Sequence, residues 1–178
     1  DTKISHAALA MGNVLSYMPP SGLDTSRRAE IIQSVSCRQC QLPRRVFLKD
    51  YNYEKPSLEI TGSADVDAEG RGETYLYGEH FPTTGEGDRL ARIRAEELYC
   101  RKKVFFGEST VPFLMPGFTF TLADHYRSDF NRGYLVEEVT HEGNQTGFLI
   151  SGIVEALSER ENTVYYHNSF KIIPSDVQ

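Results

Sequence analysis

Two pairs of neighbouring glutamate and histidine residues are the first candidates for acid–base chemistry in this sequence. They are Glu79 with His80, and His141 with Glu142. General acid–base catalysis needs groups that converge on one proton. Neighbouring side chains on a strand point to opposite faces of the sheet, so adjacency in an extended segment does not bring two groups together. Neither pair continues as H-E-x-x-H, and we predict neither a catalytic pair nor a zinc site at these positions.

Cys37 and Cys40 have the C-x-x-C spacing of zinc ribbons and redox sites. A zinc ribbon needs a second such pair, whereas the third cysteine, Cys100, stands alone in the sequence. A redox C-x-x-C normally opens a helix, but the residues around Cys37 favour a strand. An odd number of cysteines fits a reducing compartment or incidental thiols better than a disulfide framework.

The segment YLYGEHFPTTGEGDRL, residues 75–90, contains a Gly-x-Gly directly before a predicted helix. A dinucleotide-binding loop would need a third glycine where Leu90 stands. Glu86 and Asp88 would repel a phosphate, although both acids suit the N-terminus of a helix. We interpret the segment as a connector between a strand and a helix. No serine has the G-x-S-x-G setting either. The sequence therefore predicts no catalytic residue, no cofactor-binding residue, no metal ligand and no enzymatic activity.

Composition excludes further functional classes. The chain has 178 residues with 25 Asp and Glu against 19 Lys and Arg, a formal charge of −6. This balance argues against a nucleic-acid partner, which requires clustered positive charge. No apolar run is long enough to cross a bilayer, and no signal-peptide core is present, so stable membrane insertion is not expected. Because the chain starts with Asp1 and not Met, we expect a processed chain or a piece of a longer protein.

One long amphipathic helix is predicted, at about residues 86–102. Asp88 suits its N-cap or its first turn, and the cations at 101–103 suit its last turn. The residues expected on its apolar face are Leu90, Ala91, Ile93 and Leu98. Three opposite-charge pairs at i,i+4 are expected to add support: Asp88–Arg92, Arg92–Glu96 and Glu97–Arg101.

The rest of the chain favours short strands, because branched and aromatic residues alternate with polar ones between turn residues. The predicted strands are residues 31–42, 44–51, 58–61, 104–107, 118–122, 134–140, 148–157 and 163–173. The acidic, glycine-rich residues 62–73 are predicted to form a loop or a module boundary. Many short strands at regular spacing indicate a mainly β fold of the barrel or sandwich type.

The order of several short motifs resembles one known family. The motifs are RVFLKDYNYEKP at 45–56, YLYG at 75–78, GDRLARIRAEEL at 87–98, LMPGFTFTL at 114–122, NRGYLVEEVTHEG at 131–143 and YHNSFKIIPSDV at 166–177. Together they resemble the valine–glycine-repeat spike proteins (VgrG) of bacterial type VI secretion, which look like the baseplate hub proteins of contractile phage tails. The resemblance covers nearly the whole chain and is weakest before about residue 44. Met11-Gly12-Asn13 departs from the family pattern near the start.

The resemblance implies a fold and a mechanical role. It implies an antiparallel, tube-type β-barrel domain with one helix at residues 73–178, and a smaller β-rich part of the hub base at residues 1–72. The chain would be a fragment of a trimeric hub base that links a hexameric inner tube to the needle. Its partners would be other copies of itself, the inner-tube protein, baseplate proteins and effectors. It would reside in the bacterial cytoplasm during assembly, and then be secreted or delivered into a target cell.

Two alternatives remain open. One is a hub protein of a phage or prophage tail. The other is a glycan-binding or cell-wall-degrading module, against which the absence of tryptophan counts. For ring contacts, the apolar segments 134–136 and 118–120 are the expected interface strands, because one face of each must already serve the core.

Overall fold

A computed structural model describes residues 6–10, 12–20, 30–144 and 165–177 of the chain. These residues form nine strands, one α-helix and one short 3-10 turn. The strands are β1 (Val14–Ser16), β2 (Ile32–Gln39), β3 (Arg45–Tyr51), β4 (Glu59–Asp65), β5 (Glu73–Tyr77), β6 (Lys103–Ser109), β7 (Thr119–Ala123), β8 (Gly133–Asn144) and β9 (Tyr165–Pro174), with the helix α1 (Thr84–Cys100) between β5 and β6. The predicted mainly β class with one helix is confirmed.

The larger of two compact units comprises residues 1–38 and 104–176. Its six strands form one sheet in the order β1-β7-β8-β9-β6-β2, which curls as a half-barrel. β8 pairs antiparallel with β7 and β9, and β9 pairs antiparallel with β6. β1 runs parallel to β7. A single bridge between Tyr17 and Ile32 joins the ends of the two edge strands.

Alternation along these strands places one apolar face of the sheet in a common core. Tyr134 lies at its centre, fully buried, with the ring of Phe105 packed edge-on at 5.0 Å. The Tyr134 hydroxyl donates to the Phe130 carbonyl at 2.8 Å, so its one polar atom is satisfied. Burial raises the pKa of Tyr134 far above its ordinary value. The core consists of Leu9, Leu15, Ile32, Phe105, Val111, Leu114, Phe120, Leu122, Phe130, Tyr134, Val136, Phe170 and Ile172.

The smaller unit comprises residues 39–103 with 177–178. Its sheet has the order β4-β3-β5, with β4 antiparallel and β5 parallel to the central β3. α1 packs on β4 and β3. The side chains that meet there are Leu42, Val46, Leu48, Ile60, Val66, Phe81, Ala91 and Ala95. Three strands that bury one face against a helix satisfy the minimum for a stable small sheet.

The helix begins two residues earlier and ends two residues earlier than predicted. Thr83 and not Asp88 is its N-cap, because the Thr83 hydroxyl accepts from the Glu86 N–H at 3.3 Å. The helix ends at Cys100, so the cations at 101–103 lie beyond its last turn, and Lys103 already begins β6. Of the predicted charge pairs only Glu97–Arg101 forms, at 3.1 Å. The Asp88 carboxylate instead accepts from the Ser63 N–H at 3.1 Å.

The apolar face of α1 is confirmed at three of its four predicted positions, because Ala91 is buried and Leu90 and Leu98 pack partly buried against the same core. Its buried residues are Gly87, Ala91 and Ala95, whereas Ile93 is 46% exposed. The prediction failed for Ile93 because helical periodicity alone does not show which side of the helix approaches the sheet. The helix approaches β4 so closely that only small residues fit between them.

Close approach also explains why part of the predicted loop at 62–73 is a strand. β4 continues through Gly62 to Asp65. A Cβ atom on Gly62 would lie 2.1 Å from the carbonyl carbon of Gly87. Because Gly62 has no side chain, the helix and the strand can come into contact there. The chain leaves β4 only after Asp65.

The two compact units do not follow the boundary expected at residues 72 and 73. β5 pairs with β3, and α1 packs on β4, so elements from both sides of that boundary share one core. The remaining predicted strands coincide with observed ones within a few residues, apart from the strand at 148–157, which lies outside the described residues. No helix within the described ranges is long and apolar enough to cross a membrane.

Candidate assembly surface

The first acid–base candidate, Glu79 with His80, forms part of the turn after β5. The Glu79 carboxylate accepts from the Arg94 guanidinium at 2.9 Å, which occupies it in an ion pair. His80 adopts a left-handed backbone conformation with φ of 62°. The ion pair with Arg94 gives Glu79 a structural role in attaching this segment to α1. Glu79 and His80 form no relay with each other.

The second candidate, His141 with Glu142, lies on β8, where each residue contacts β9. His141 Nδ1 is 2.5 Å from the Tyr166 hydroxyl. Glu142 faces His167 across the strands, with 3.6 Å between carboxylate and Nε2. Alternation of side chains therefore separates the two residues, as the sequence predicted for an extended segment.

The cysteine and glycine motifs also have structural explanations. None of the three cysteines forms a disulfide, and the Cys100 thiol donates to the Val177 carbonyl at 2.9 Å. Within the described parts of the chain no three His, Cys, Asp or Glu side chains are grouped so that they could hold a metal ion. In the Gly-x-Gly of α1, a Cβ atom on Gly87 would lie 2.6 Å from the Phe81 ring. Gly87 therefore permits packing, and the helix start is capped by Thr83.

A buried polar cluster that the sequence did not reveal joins β6 to β9. The Asn168 amide donates to the Val111 carbonyl at 2.7 Å and to the Tyr166 hydroxyl at 2.9 Å. Its oxygen accepts from the Ser109 hydroxyl at 2.6 Å. Both Ser109 and Asn168 are 0% exposed, so neither is accessible to a substrate. Strand alternation could flag Asn168 as inward-facing, but no local signal pairs it with a serine 59 positions away.

His125 is a second buried polar residue that sequence reasoning missed. Its ring lies 4.3 Å from the Tyr17 ring and 4.7 Å from the Phe130 ring, between centroids. Its Nδ1 accepts from the Arg127 N–H at 3.1 Å. With only 4% of the residue exposed, His125 packs in the core and offers no surface to a ligand.

The segments predicted as interface strands leave little apolar surface open. Tyr134 and Val136 are buried in the core, and Leu135 on the opposite face is only 8% exposed. Phe120 is also a core residue, at 3% exposure. Leu135 pairs with Ile173 and Thr119 of the neighbouring strands, which explains how the second face is covered within the chain.

Exposed aromatic surface lies instead on the small sheet, on the face opposite to α1. Val46 and Leu48 turn toward the helix, so the residues between and beyond them turn outward. The register pairs Phe47 with Tyr75 and places Tyr77 in the next row. We call Phe47, Tyr51, Tyr75 and Tyr77 the tyrosine face; its three tyrosines are 56%, 52% and 62% exposed. The Phe47 and Tyr75 rings are stacked 5.9 Å apart, with 19° between their planes.

Ion pairs border the tyrosine face. Arg45 pairs with Glu73 at 2.6 Å, and Lys49 pairs with Glu59 at 2.7 Å. The hydrogen bond that the Lys49 ammonium donates to the Glu59 carboxylate raises the pKa of Lys49 and lowers the pKa of Glu59. Exposed pairs of this kind contribute little stability, so their main effect is to leave this border without net charge.

The end of β3 next to this face is held by Asp50. Its carboxylate accepts from the Tyr51 N–H at 2.8 Å and from the Phe81 N–H at 3.1 Å. These backbone bonds stabilise the charged form, which lowers the pKa of Asp50. The sequence motifs RVFLKDY and ETYLY contain the alternation that could have revealed this surface.

A second carboxylate of the small unit gives a testable pH dependence. Asp67 pairs with Lys102 at 2.8 Å, and this hydrogen bond lowers the pKa of Asp67 below its ordinary value of 3.8. A lowered folded-state pKa stabilises the fold above the ordinary value, and this stabilisation is lost as the pH falls through the folded-state pKa. We expect Asp67→Asn to unfold in less urea than the parent at pH 7, and the difference to shrink below pH 3.8. A difference that persists unchanged at low pH would contradict this explanation.

Similarity to known proteins supplies the context for this surface. Residues 1–147 match the family described as phage tail baseplate hub (GPD). The type VI secretion spike protein VgrG4b of Pseudomonas aeruginosa is 28% identical over 173 residues, which is 94% of this chain and 21% of that protein. The spike protein VgrG3 of Vibrio cholerae is 29% identical over 140 residues, or 73% of this chain and 13% of that protein.

A solved structure shares the fold at low sequence identity. The 43 kDa tail protein of prophage MuSo2 from Shewanella oneidensis superimposes with a TM-score of 0.61 at 8% identity, covering 97% of this chain and 47% of that one. The chain thus spans about a fifth of the length of the VgrG4b spike protein and about half of the prophage tail protein.

Proposed function

Because the chain belongs to the phage tail baseplate hub family, whose pattern covers residues 1–147, we propose that it is part of the puncturing spike of a type VI secretion system. The observation that carries the proposal is similarity to VgrG spike proteins over 94% of the chain in one case. The role is mechanical: the chain forms part of a trimeric hub base that links the hexameric inner tube to the needle. It acts through surfaces and not through an active site.

The partners follow from this role. They are other copies of the chain, the inner-tube protein, baseplate proteins and effectors that the spike helps to deliver. The protein assembles in the bacterial cytoplasm and then leaves the cell or enters a target cell. We assign the tube-type role to the six-stranded unit, because a curled sheet with a packed core is suited to resist load along its strands.

The proposal predicts the oligomeric state of the full-length gene product. Subunits related by rotation around a closed ring form identical heterologous contacts, so the assembly must have a fixed number of chains. We expect native mass spectrometry to give three times the mass that the same sample gives under denaturing conditions. A stable monomer across the working concentration range would contradict the hub role.

A phage or prophage tail hub remains the alternative within the same family. A secretion spike and a phage tail hub would both be trimers, so the two roles must be distinguished by an experiment in the source bacterium. We expect the protein in the culture medium of the parent strain and its absence there when the contractile sheath is deleted. Recovery in phage tail particles after prophage induction would favour the alternative.

The tyrosine face favours one candidate of a different class, a glycan-binding module. Stacked, exposed rings such as Phe47 and Tyr75 offer a flat apolar platform of the kind on which sugar rings pack. Tyrosine fluorescence titrated with soluble peptidoglycan fragments tests it. Saturable binding that Tyr75→Ser abolishes would support the glycan module, and hydrolysis of the fragments would indicate a cell-wall-degrading enzyme.

A further inference from the structure

A cleft lies at the end of the small sheet, where the chain leaves β3. Residues 50–54 form one side of it, residues 80–82 form the other, and its volume is about 310 Å³. Both sides belong to the smaller unit. We call it the β3 cleft. A cleft of this size has room for a single long side chain of a binding partner.

Aromatic side chains form much of the wall of the β3 cleft. Tyr51 and Tyr53 both line it, and they are 56% and 80% exposed. The buried ring of Phe81 lies at the base, beside Pro82. Exposed tyrosine rings next to apolar surface are typical of binding sites, and the faces of such rings attract cations.

The same cleft carries negative charge. Asp50 and Glu54 line it, and none of the described lining residues is a lysine or an arginine. The two cations of β3, Arg45 and Lys49, are already paired with glutamates of the neighbouring strands. Carboxylates beside aromatic rings form an environment that favours a cationic ligand.

Neighbouring basic residues do not cancel this charge. Lys55 follows Glu54 in the sequence but does not line the cleft, and within the described ranges it forms no ion pair. His80 does line the cleft, but one imidazole carries at most one positive charge against two carboxylates. The lining therefore keeps a net negative charge in either state of the imidazole.

Hydrogen bonds to the backbone hold both sides of the cleft in place. The Asn52 side-chain oxygen accepts from the Glu54 N–H at 2.9 Å and from the Lys55 N–H at 3.2 Å, which fixes the segment after β3. The Asp50 carboxylate accepts from the Phe81 N–H at 3.1 Å, which joins one side of the cleft to the other. A site that is already ordered loses less conformational freedom when a ligand binds.

We propose that the β3 cleft binds an arginine side chain of a basic partner polypeptide. The guanidinium group stacks on the tyrosine rings and donates to the Glu54 carboxylate, while Asp50 adds negative charge. Arginine fits better than lysine because its planar group stacks on rings and forms paired hydrogen bonds with a carboxylate. The formal charge of −6 on this chain favours a basic partner over a second copy. This binding site goes beyond the spike role, which requires no cation site on the small sheet.

The test is an NMR titration of the 178-residue chain with N-acetyl-arginine amide, followed through the ring signals of its tyrosines. N-acetyl-citrulline amide is the matched ligand, because it has nearly the same shape and no charge. At about pH 8, above the ordinary titration range of imidazole groups, we expect saturable shifts of the Tyr51 and Tyr53 ring signals with the arginine probe. The citrulline probe should bind at least about fivefold more weakly.

Four substitutions of exposed side chains, which should leave the fold intact, locate the site. Glu54→Gln removes a carboxylate of the cleft and Tyr53→Ser removes a ring, and each should weaken binding of the arginine probe at least about threefold. Glu69→Gln removes the same charge outside the cleft, and Tyr75→Ser removes an exposed ring that does not line it. Both controls should bind within about twofold of the parent.

Three results would overturn the proposal. They are equal binding of the arginine and citrulline probes, equal effects of Glu54→Gln and Glu69→Gln, and the absence of ring shifts at tens of millimolar probe. A change in the Tyr53 ring signals with protein concentration alone would assign the cleft to a second copy and overturn the proposed partner.

Discussion

Gly62→Ala is expected to prevent stable folding of the smaller unit. The new methyl group would lie 2.1 Å from the carbonyl carbon of Gly87 and 2.6 Å from the N atom of Asp88, and both are backbone atoms that no rotamer change can move. Either the helix separates from β4 or the strand shifts, and each outcome disrupts contacts of Ala91 and Ala95. We expect a loss of about 3 kcal/mol or more in the free energy of unfolding.

Gly85→Ala is the matched control, two residues before Gly87 in the same helix. A Cβ atom on Gly85 would have no neighbour within 4 Å, and Gly85 does not have a positive φ. Alanine restricts the unfolded chain and suits a helix, so this variant should be more stable by about 0.5 kcal/mol. Urea unfolding is monitored by the exchange of amides in β4 and in β8, which reports the stability of the smaller and the larger unit separately. Equal effects of the two substitutions would refute the close-contact explanation.

Asn168→Leu is expected to destabilise the larger unit by about 3 kcal/mol, because it removes three hydrogen bonds of the buried cluster and leaves the Ser109 hydroxyl without its acceptor. The Val111 carbonyl would lose its 2.7 Å donor, and the Ser109 hydroxyl would lose its 2.6 Å acceptor. Ser109→Ala should cost less, about 1–2 kcal/mol, since the Asn168 amide keeps its bond to Val111.

Two comparisons establish that the polar cluster causes this effect. Ser169→Ala changes the neighbouring residue, whose exposed side chain lies on the opposite face of β9, and should change stability by less than about 0.5 kcal/mol. The double variant Ser109→Ala with Asn168→Leu should lose less stability than the sum of the two single-variant losses, because the two residues share a hydrogen bond. Simple additivity would show that the cluster does not act as a unit.

The sequence by itself determined the type of most elements and the family. Alternation within RVFLKDY and YHNSFKII predicts strands because neighbouring side chains in an extended chain face opposite sides, which is a purely local property. The same locality separates His141 from Glu142 on β8, whereas Glu79 and His80 lie after the end of β5 and are not subject to strand alternation. Motif order identified the resemblance to VgrG spike proteins, since each motif is short but their succession spans the chain.

Tertiary structure decided everything that depends on partners distant in the sequence. Helical periodicity placed Ile93 in the core, but the closeness of α1 to β4 makes Gly87, Ala91 and Ala95 the buried residues. No local pattern pairs β5 in parallel with β3, or Ser109 with Asn168. Propensity acts between neighbours along the chain, whereas edge exposure, buried polar clusters and the tyrosine face arise from which strands pack together. For that reason the absence of an active site stays a prediction from the sequence, while only the structure shows which aromatic side chains are exposed on the small sheet.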